Sequence, residues 1–419
     1  MAKLKNMMIA QSGGPSSAIN SSIAGAISRA MASDKIDKVY GAINGTEGLL
    51  QRKIINITDQ IKDQDEIDQL INTPAQALGS SRYKIPKDKE GDKVFARILE
   101  ILHDYNVGYF FFNGGNDSMD TVSRLAQYLA ARDEDIYAVG IPKTIDNDLI
   151  NTDHTPGFGS AARFVATSIS EIYMDTIVYN RPYVVVCEIM GRNAGWLTAA
   201  SALARRTGVT APHLIYLPEV PFDPDTFIEK LKDRIADSGE PQVIVAVSEG
   251  LKLENGRYIA DTGTVDSFGH PTLSGVARAL ENIVIDKMGS SVKTRSIQFS
   301  TLQRAAAHLA SKTDLDEAFH CGVRAVEAAL QGITDVMITM ERASNLPYLV
   351  QYAATPLANV ANKERKVPVE WITNNGTDVS HEMIEYLAPL IRGAASPRMV
   401  GGLPVYFRFD WKKIVSPDT

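Results

Sequence analysis

Cysteine, tryptophan and positive charge are all scarce in this chain. Two cysteines in 419 residues, Cys187 and Cys321, cannot form a disulfide framework, and neither lies in a Cys-x-x-Cys pair. Reduced, buried thiols in a cytoplasmic protein are therefore expected. Lys and Arg number 43 against 50 Asp and Glu, a net charge of −7, so nucleic acid and anionic membranes are not expected as partners. Any phosphate site must be a local concentration of cations. No stretch approaches the ~18 apolar residues that cross a bilayer. The apolar run that follows Lys3 and Lys5 is too short for a secretory signal, so a soluble chain is expected. The seven histidines are scattered, without His-Glu-x-x-His or Cys/His spacing, which argues against zinc. Gly-x-x-x-x-Gly-Lys-[Ser/Thr] and Gly-x-Ser-x-Gly are also missing, removing P-loop kinases and the usual serine hydrolases. No internal repeat or low-complexity tract occurs.

What is present is ordinary globular material, 44% hydrophobic and 22% charged. At ~150 residues per domain, the length suggests two or three domain-sized units. Short β-branched or aromatic runs recur at Met7–Ala10, Val39–Ile43, Val107–Asn113, Ile136–Ile141, Tyr183–Ile189, Leu214–Leu217, Val243–Val247 and Val336–Met340. Continuous rather than alternating runs suit strands buried on both faces of a parallel sheet. Amphipathic stretches, among them Ala18–Met31, Lys93–Tyr105, Ser118–Arg132 and Ser160–Val178, lie between them. The alternation predicts a doubly wound α/β fold with more than one sheet. The polar stretch Asn147–Pro156 can pass between lobes. After about Met340 the strand–helix rhythm is lost, and the Gly- and Pro-rich end reads as an extended surface tail.

In open α/β sheets, ligands bind where strands hand the chain to loops at their carboxyl ends. Three such junctions are unusual. The first, Gln11-Ser-Gly-Gly-Pro-Ser-Ser-Ala-Ile-Asn20, has glycines that let the backbone approach an anion at a helix start. A plain turn with a Ser cap explains it as well. The second, Asn113-Gly-Gly-Asn-Asp-Ser-Met-Asp120, repeats the pattern. Its Asp and Ser either cap the helix or help two adjacent phosphate cradles share a hard cation such as Mg²⁺.

The third, Pro142-Lys-Thr-Ile-Asp-Asn-Asp148, places one cation and two carboxylates at a strand exit. A lysine suits a transferring phosphoryl group, and a nearby carboxylate can accept a hydroxyl proton. A charged surface loop is the competing reading, weakened by the buried-type strand before it. Further strand exits lead into Met190-Gly-Arg-Asn-Ala-Gly195 and Ser248-Glu-Gly250, and Arg181, Arg192, Arg295 and Arg304 supply cations for an anion pocket. Gly157-Phe-Gly-Ser-Ala-Ala162 fits a loose dinucleotide pattern but follows polar loop rather than a strand, so nicotinamide binding is not expected.

Taken together, Gly13-Gly14, Gly114-Gly-Asn-Asp-Ser118, Pro142–Asp148, Met190-Gly-Arg192, Glu249 and the Arg295…Gln303-Arg304 segment resemble the phosphofructokinase family, in family order, over roughly residues 6 to 340. Asp117 and Lys143, where ATP-dependent members typically have glycine, resemble its pyrophosphate-dependent branch. There, a carboxylate at Asp117 would repel a nucleotide α-phosphate and fill its space. The resemblance implies two doubly wound three-layer lobes with mostly parallel sheets plus a C-terminal extension. Its bounds are 1–157 for the phosphoryl-donor lobe, completed by part of 278–310, then 158–340 for the sugar-phosphate lobe and 341–419 for the extension.

The resemblance also implies that Asp146 acts as base toward the 1-hydroxyl of fructose 6-phosphate, which attacks pyrophosphate in line, with Lys143 stabilising the transferred group. Gly13, Gly14, Asp117 and Ser118 would bind or select the donor. Thr144, Met190, Gly191, Arg192, Glu249 and Thr301 would face the sugar, and Arg304 its 6-phosphate. Mg²⁺ is the implied cofactor, with Asn116 and Asp148 as ligand candidates. Arg181 and Arg295 would reach across a subunit interface in a homodimer or homotetramer. An ATP-dependent enzyme and a non-catalytic sugar-phosphate-binding paralogue are the alternatives. Four positions depart from the family pattern: Asn116 replaces an aspartate, Thr301 a Tyr or His, and Ala305-Ala306 a glycine pair.

Overall fold

The structure is a computed structural model that describes residues 4–81, 83–237, 239–265, 271–273 and 275–417. Two sheets organise the chain. The first contains β1 (Lys5–Gln11), β2 (Ile36–Ala42), β3 (Ile54–Asn56), β4 (Val107–Gly114) and β5 (Tyr137–Pro142). The second contains β6 (Tyr183–Ile189), β7 (Leu214–Tyr216), β8 (Gln242–Ser248) and β9 (Lys293–Gln298), and the chain then returns to the first sheet as β10 (Val336–Asn345) and β11 (Tyr348–Pro356). The seven-stranded order is β11-β10-β5-β4-β1-β2-β3, and the four-stranded order is β9-β6-β8-β7. The smaller sheet is wholly parallel, whereas the larger is parallel at its centre with antiparallel pairs at both edges.

The unbroken apolar runs are explained by burial on both faces. Along β1, Met7 and Ile9 enter one core and Met8 and Ala10 another. Along β6, Val185 and Cys187 face one core and Val184 and Val186 the other. Both lobes are thus three-layered. Both cysteines are free and buried, and burial pushes the Cys187 thiol up to about 12.

The lobe bounds need correction. Most of segment 278–310 belongs to the second lobe, where the helix Val276–Met288 joins the core and β9 is the edge strand, and only its end reaches the first lobe, at Arg304 against Ser17 and Ala310 against Ala18. The first lobe is completed instead by the helix Lys312–Leu330, whose Cys321 and Ala325 share a core with Ile23 and Ile27, and by β10, whose Val336 pairs with Val139. A boundary at residue 340 therefore cuts a strand. Without β10, β5 would be an open edge in mid-sheet. Beyond β11 the extension packs back on both lobes: the Phe407 amide donates to Thr73 Oγ1 at 2.9 Å, and Trp371 and Tyr386 pack against Trp196.

The connection 147–156 does run between the lobes, and its anchor is ionic. His154, 1% exposed, meets Asp153 Oδ1 and Glu317 Oε2, each at 2.7 Å. Burial alone would lower its pKa, but Glu317 and Asp153 overcome that and hold it up to about 9. A group whose folded pKa is raised stabilises fully below its unfolded value, ~6.5, and loses that contribution as pH rises through the folded one. Denaturant unfolding is therefore expected to show stability falling by a few kcal/mol between about pH 6.5 and 9, and His154→Gln should flatten this slope. An unchanged slope in the variant would refute the assignment.

Candidate active site

Because β1, β4 and β5 are parallel neighbours, their carboxyl ends deliver three loops side by side. The Lys143 amide donates to the Gly114 carbonyl at 3.0 Å, and the Ser12 amide to the Asn113 carbonyl at 2.9 Å, so the loops are hydrogen-bonded together. The side chain of Lys143, 4% exposed, runs to the first loop and donates from Nζ to the Gly14 carbonyl at 2.7 Å. Gly13 there has φ of 76°, and a Cβ on it would lie 3.2 Å from that ammonium. Only glycine leaves this approach open. Gln76 and Ser80 brace the loop by donating to the Gly13 carbonyl. Buried Ser118 folds back over Gly114, while Asp117 is exposed on the first turn of the helix Asn116–Ala130.

The second lobe presents β6 and β8 in the same sense. Beyond β6, Gly191 has φ of 129°, and a Cβ would fall 2.5 Å from the Ala194 carbonyl. Its amide reaches Glu249 Oε1 at 3.5 Å, and Gln303 accepts from the Met190 amide at 3.1 Å. The two lobes meet at Arg304: Ser17 Oγ donates to its carbonyl at 3.3 Å, and its Nη1 lies 3.4 Å from where a Gly14 Cβ would be. Its charge also acts on Glu249.

Carboxylates dominate the floor of this cleft. Burial and the Asp148 and Glu249 charges push the Asp146 carboxyl up to about 7, against the pull of Lys143. Burial raises Asp148 and Glu249 too, opposed at Asp148 by a hydrogen bond with Thr144 and at Glu249 by the Gly191 amide. Thr144 also fixes the loop internally, accepting from the Asp146 amide at 3.1 Å through Oγ1 and from Thr155 at 2.8 Å through its carbonyl. Among the described residues no three His, Cys, Asp or Glu side chains gather as a metal cage.

The structure thus brings together Gly13, Gly14, Ser118, Lys143, Thr144, Asp146, Asp148, Met190, Gly191, Glu249 and Arg304, with Arg192 acting electrostatically on Glu249. Thr301 is exposed at the start of the short helix Leu302–Ala305. Arg181 and Arg295 lie elsewhere. Both are exposed and flank Tyr183 at the opposite end of β6, where Arg295 lines a cleft of about 350 Å³ with Glu171 and Asp175. The glycine-rich Gly157 turn does open a helix, but its amides are taken. Asp314 accepts from the Gly157 amide at 2.8 Å and the Ser160 amide at 2.9 Å, filling the anion position from within.

Asn116 needs correction as a cation ligand. Its Nδ2 donates to the Lys363 carbonyl at 2.6 Å and its Oδ1 accepts from the Asn362 amide at 2.7 Å. An amide satisfies this backbone pair on both sides, which a carboxylate cannot do. The residue is a latch for the segment 362–366, a stretch with no local motif to place it here. That segment also brings Glu364, held by Asn193 at 3.0 Å, into the field of Asp146 and Asp148. Its only sequence signal is a run of charges, and such runs usually mark solvated surface.

Residues 6–329 match the sequence profile of the family described as phosphofructokinase. The chain is 39% identical over 403 residues to the pyrophosphate–fructose 6-phosphate 1-phosphotransferase of Halomonas elongata, covering 95% of this chain and 94% of that one. It is 40% identical to the protein of the same name from Xanthomonas campestris, with 96% and 95% covered. The crystal structure of a pyrophosphate-dependent phosphofructokinase from Marinobacter aquaeolei superposes with a TM-score of 0.87 at 36% identity, covering 99% of this chain and 98% of the other.

Proposed function

The chain belongs to the phosphofructokinase family, and from that premise we propose that it transfers a phosphoryl group reversibly from pyrophosphate to the 1-hydroxyl of fructose 6-phosphate. The observation that carries the proposal is the Lys143–Asp148 loop, which sends an ammonium onto the Gly13-Gly14 turn and a carboxylate toward the second lobe. Phosphoryl transfer asks for little covalent chemistry from a protein and much placement of charge. In this reading the donor lies along Gly13, Gly14 and Ser118, and Lys143 neutralises charge on the group in flight. Asp146 takes the proton of the attacking hydroxyl. Thr144, Met190, Gly191, Arg192 and Glu249 orient the sugar, and Arg304 faces its 6-phosphate. Asp117, at the helix start, repels the α-phosphate that a nucleotide would bring.

The donor set fits Mg²⁺. Burial first, and neighbouring carboxylates after it, raise Asp146 and Asp148, so a cation there would relieve both, and a hard cation held by one or two carboxylates and by substrate oxygens needs no protein cage. Asp148 is the ligand we assign. When bound, Mg²⁺ supplies charge neutralisation on the phosphate oxygens. A donor panel at fixed fructose 6-phosphate and Mg²⁺ tests the reading. Turnover with pyrophosphate and little with ATP is expected. Preference for ATP would overturn the donor assignment, and sugar-phosphate binding without turnover would indicate a regulatory paralogue.

Arg181 and Arg295, remote from this cleft in their own chain, are proposed to complete the site of a second copy in a homo-oligomer. Complementation checks this. Coexpressed Arg295→Ala and Asp146→Asn chains, each weak alone, should regain about a quarter of wild-type turnover in randomly mixed dimers. No recovery would place those arginines outside any active site.

A further inference from the structure

We propose that Tyr386 and Arg365, both from the C-terminal extension, are positioning residues that hold the Lys143–Asp148 loop in its working shape. This rests on the reading of Asp146 given above. Asn147 lies between the two acids, is fully buried and has φ of 54°. Asparagine tolerates that left-handed backbone better than most residues, but the conformation still needs an external partner to persist. Its Nδ2 donates to the Tyr386 hydroxyl at 2.9 Å, in a fully buried bond. The same hydroxyl donates to the Asp153 carbonyl at 2.7 Å and accepts from Arg365 Nη2 at 3.3 Å.

Arg365 closes the ring. Its amide donates to the Asp148 carbonyl at 2.7 Å. Its guanidinium donates to the carbonyls of Thr152 and Asp153 and lies 4.4 Å over the Trp196 ring. Loop atoms between the two acids and just after them are therefore fixed by a part of the chain that touches neither donor nor sugar in the proposed reading. Two neighbouring contacts set the same segment in place: Asn116 latches residues 362 and 363, and Glu219 accepts from the Val367 amide at 3.0 Å.

A base displaced by ~1 Å can cost up to ~10²-fold in rate while substrate contacts survive. Tyr386→Phe keeps the ring packed on Trp196 and removes only the hydroxyl. Its kcat with pyrophosphate is expected to fall about tenfold, with KM for both substrates within about twofold of wild type and a similar melting temperature. Arg365→Lys, which keeps the charge and loses the fork, should behave alike and carries the test if the first variant does not fold. Unchanged kcat in a folded variant would overturn the proposal, as would a loss matched by rising KM. Absence of pyrophosphate turnover in the wild-type chain would instead overturn the functional reading itself, which keeps the two failures distinct.

Discussion

Asp146→Asn is expected to lower kcat by about 10²- to 10⁴-fold with KM for fructose 6-phosphate changed little, the loss characteristic of a missing general base. The substitution is nearly isosteric, so the Asp146 amide stays available to Thr144 Oγ1 and the loop keeps its hydrogen bonds. What disappears is an acceptor for the proton of the attacking hydroxyl. Electrostatics work the other way: Asp146 sits among Asp148, Glu249 and Glu364, whose charges all oppose its ionisation. Removing one of these charges should leave the fold unharmed or slightly stabilised, and the anionic substrates bound as well or better. A large kcat loss beside an unchanged or raised melting temperature therefore separates lost proton transfer from lost structure. Unchanged turnover would mean that another group takes the proton.

The first lobe and the cleft were legible because both are written in local sequence. Buried parallel strands need continuous apolar runs, and loops at their carboxyl ends must solve local problems of backbone and charge, so Gly13, Gly191 and the Lys143–Asp148 loop stand out without coordinates. Return of the chain to the first sheet was not legible. Val336–Met340 reads as a buried strand, but nothing in a strand states which sheet it joins, and β11 alternates half-exposed residues as an antiparallel edge does. Asn116 showed the opposite failure. Its identity was conspicuous, yet its partners are backbone atoms of residues 362 and 363, whose side chains carry no signal of that contact. Tyr386, lying on a short helix well beyond the strand–helix rhythm, was invisible for the same reason.

Lys143→Met is the second large effect. The side chain keeps an apolar stem as far as Cε, but the ammonium that reaches the Gly14 carbonyl is lost. Turnover with pyrophosphate is expected to fall about 10²- to 10³-fold, the scale seen when one preorganised donor to a developing charge is removed. The buried stem limits structural damage, because a methionine fills the same path. Donor choice adds a sharper test. In the double variant Asp117→Gly, Lys143→Gly, the exposed carboxylate on the first helical turn and the ammonium both go, so repulsion of an α-phosphate is relieved together with the compensation that pyrophosphate needs. Pyrophosphate kinetics should collapse while ATP inhibition or use increases, measured as the ratio of kcat/KM for the two donors. If that ratio stayed at its wild-type value, donor selection would have to lie outside these two side chains, and the strongest remaining structure at that helix start is the segment 362–366 that Asn116 holds across it.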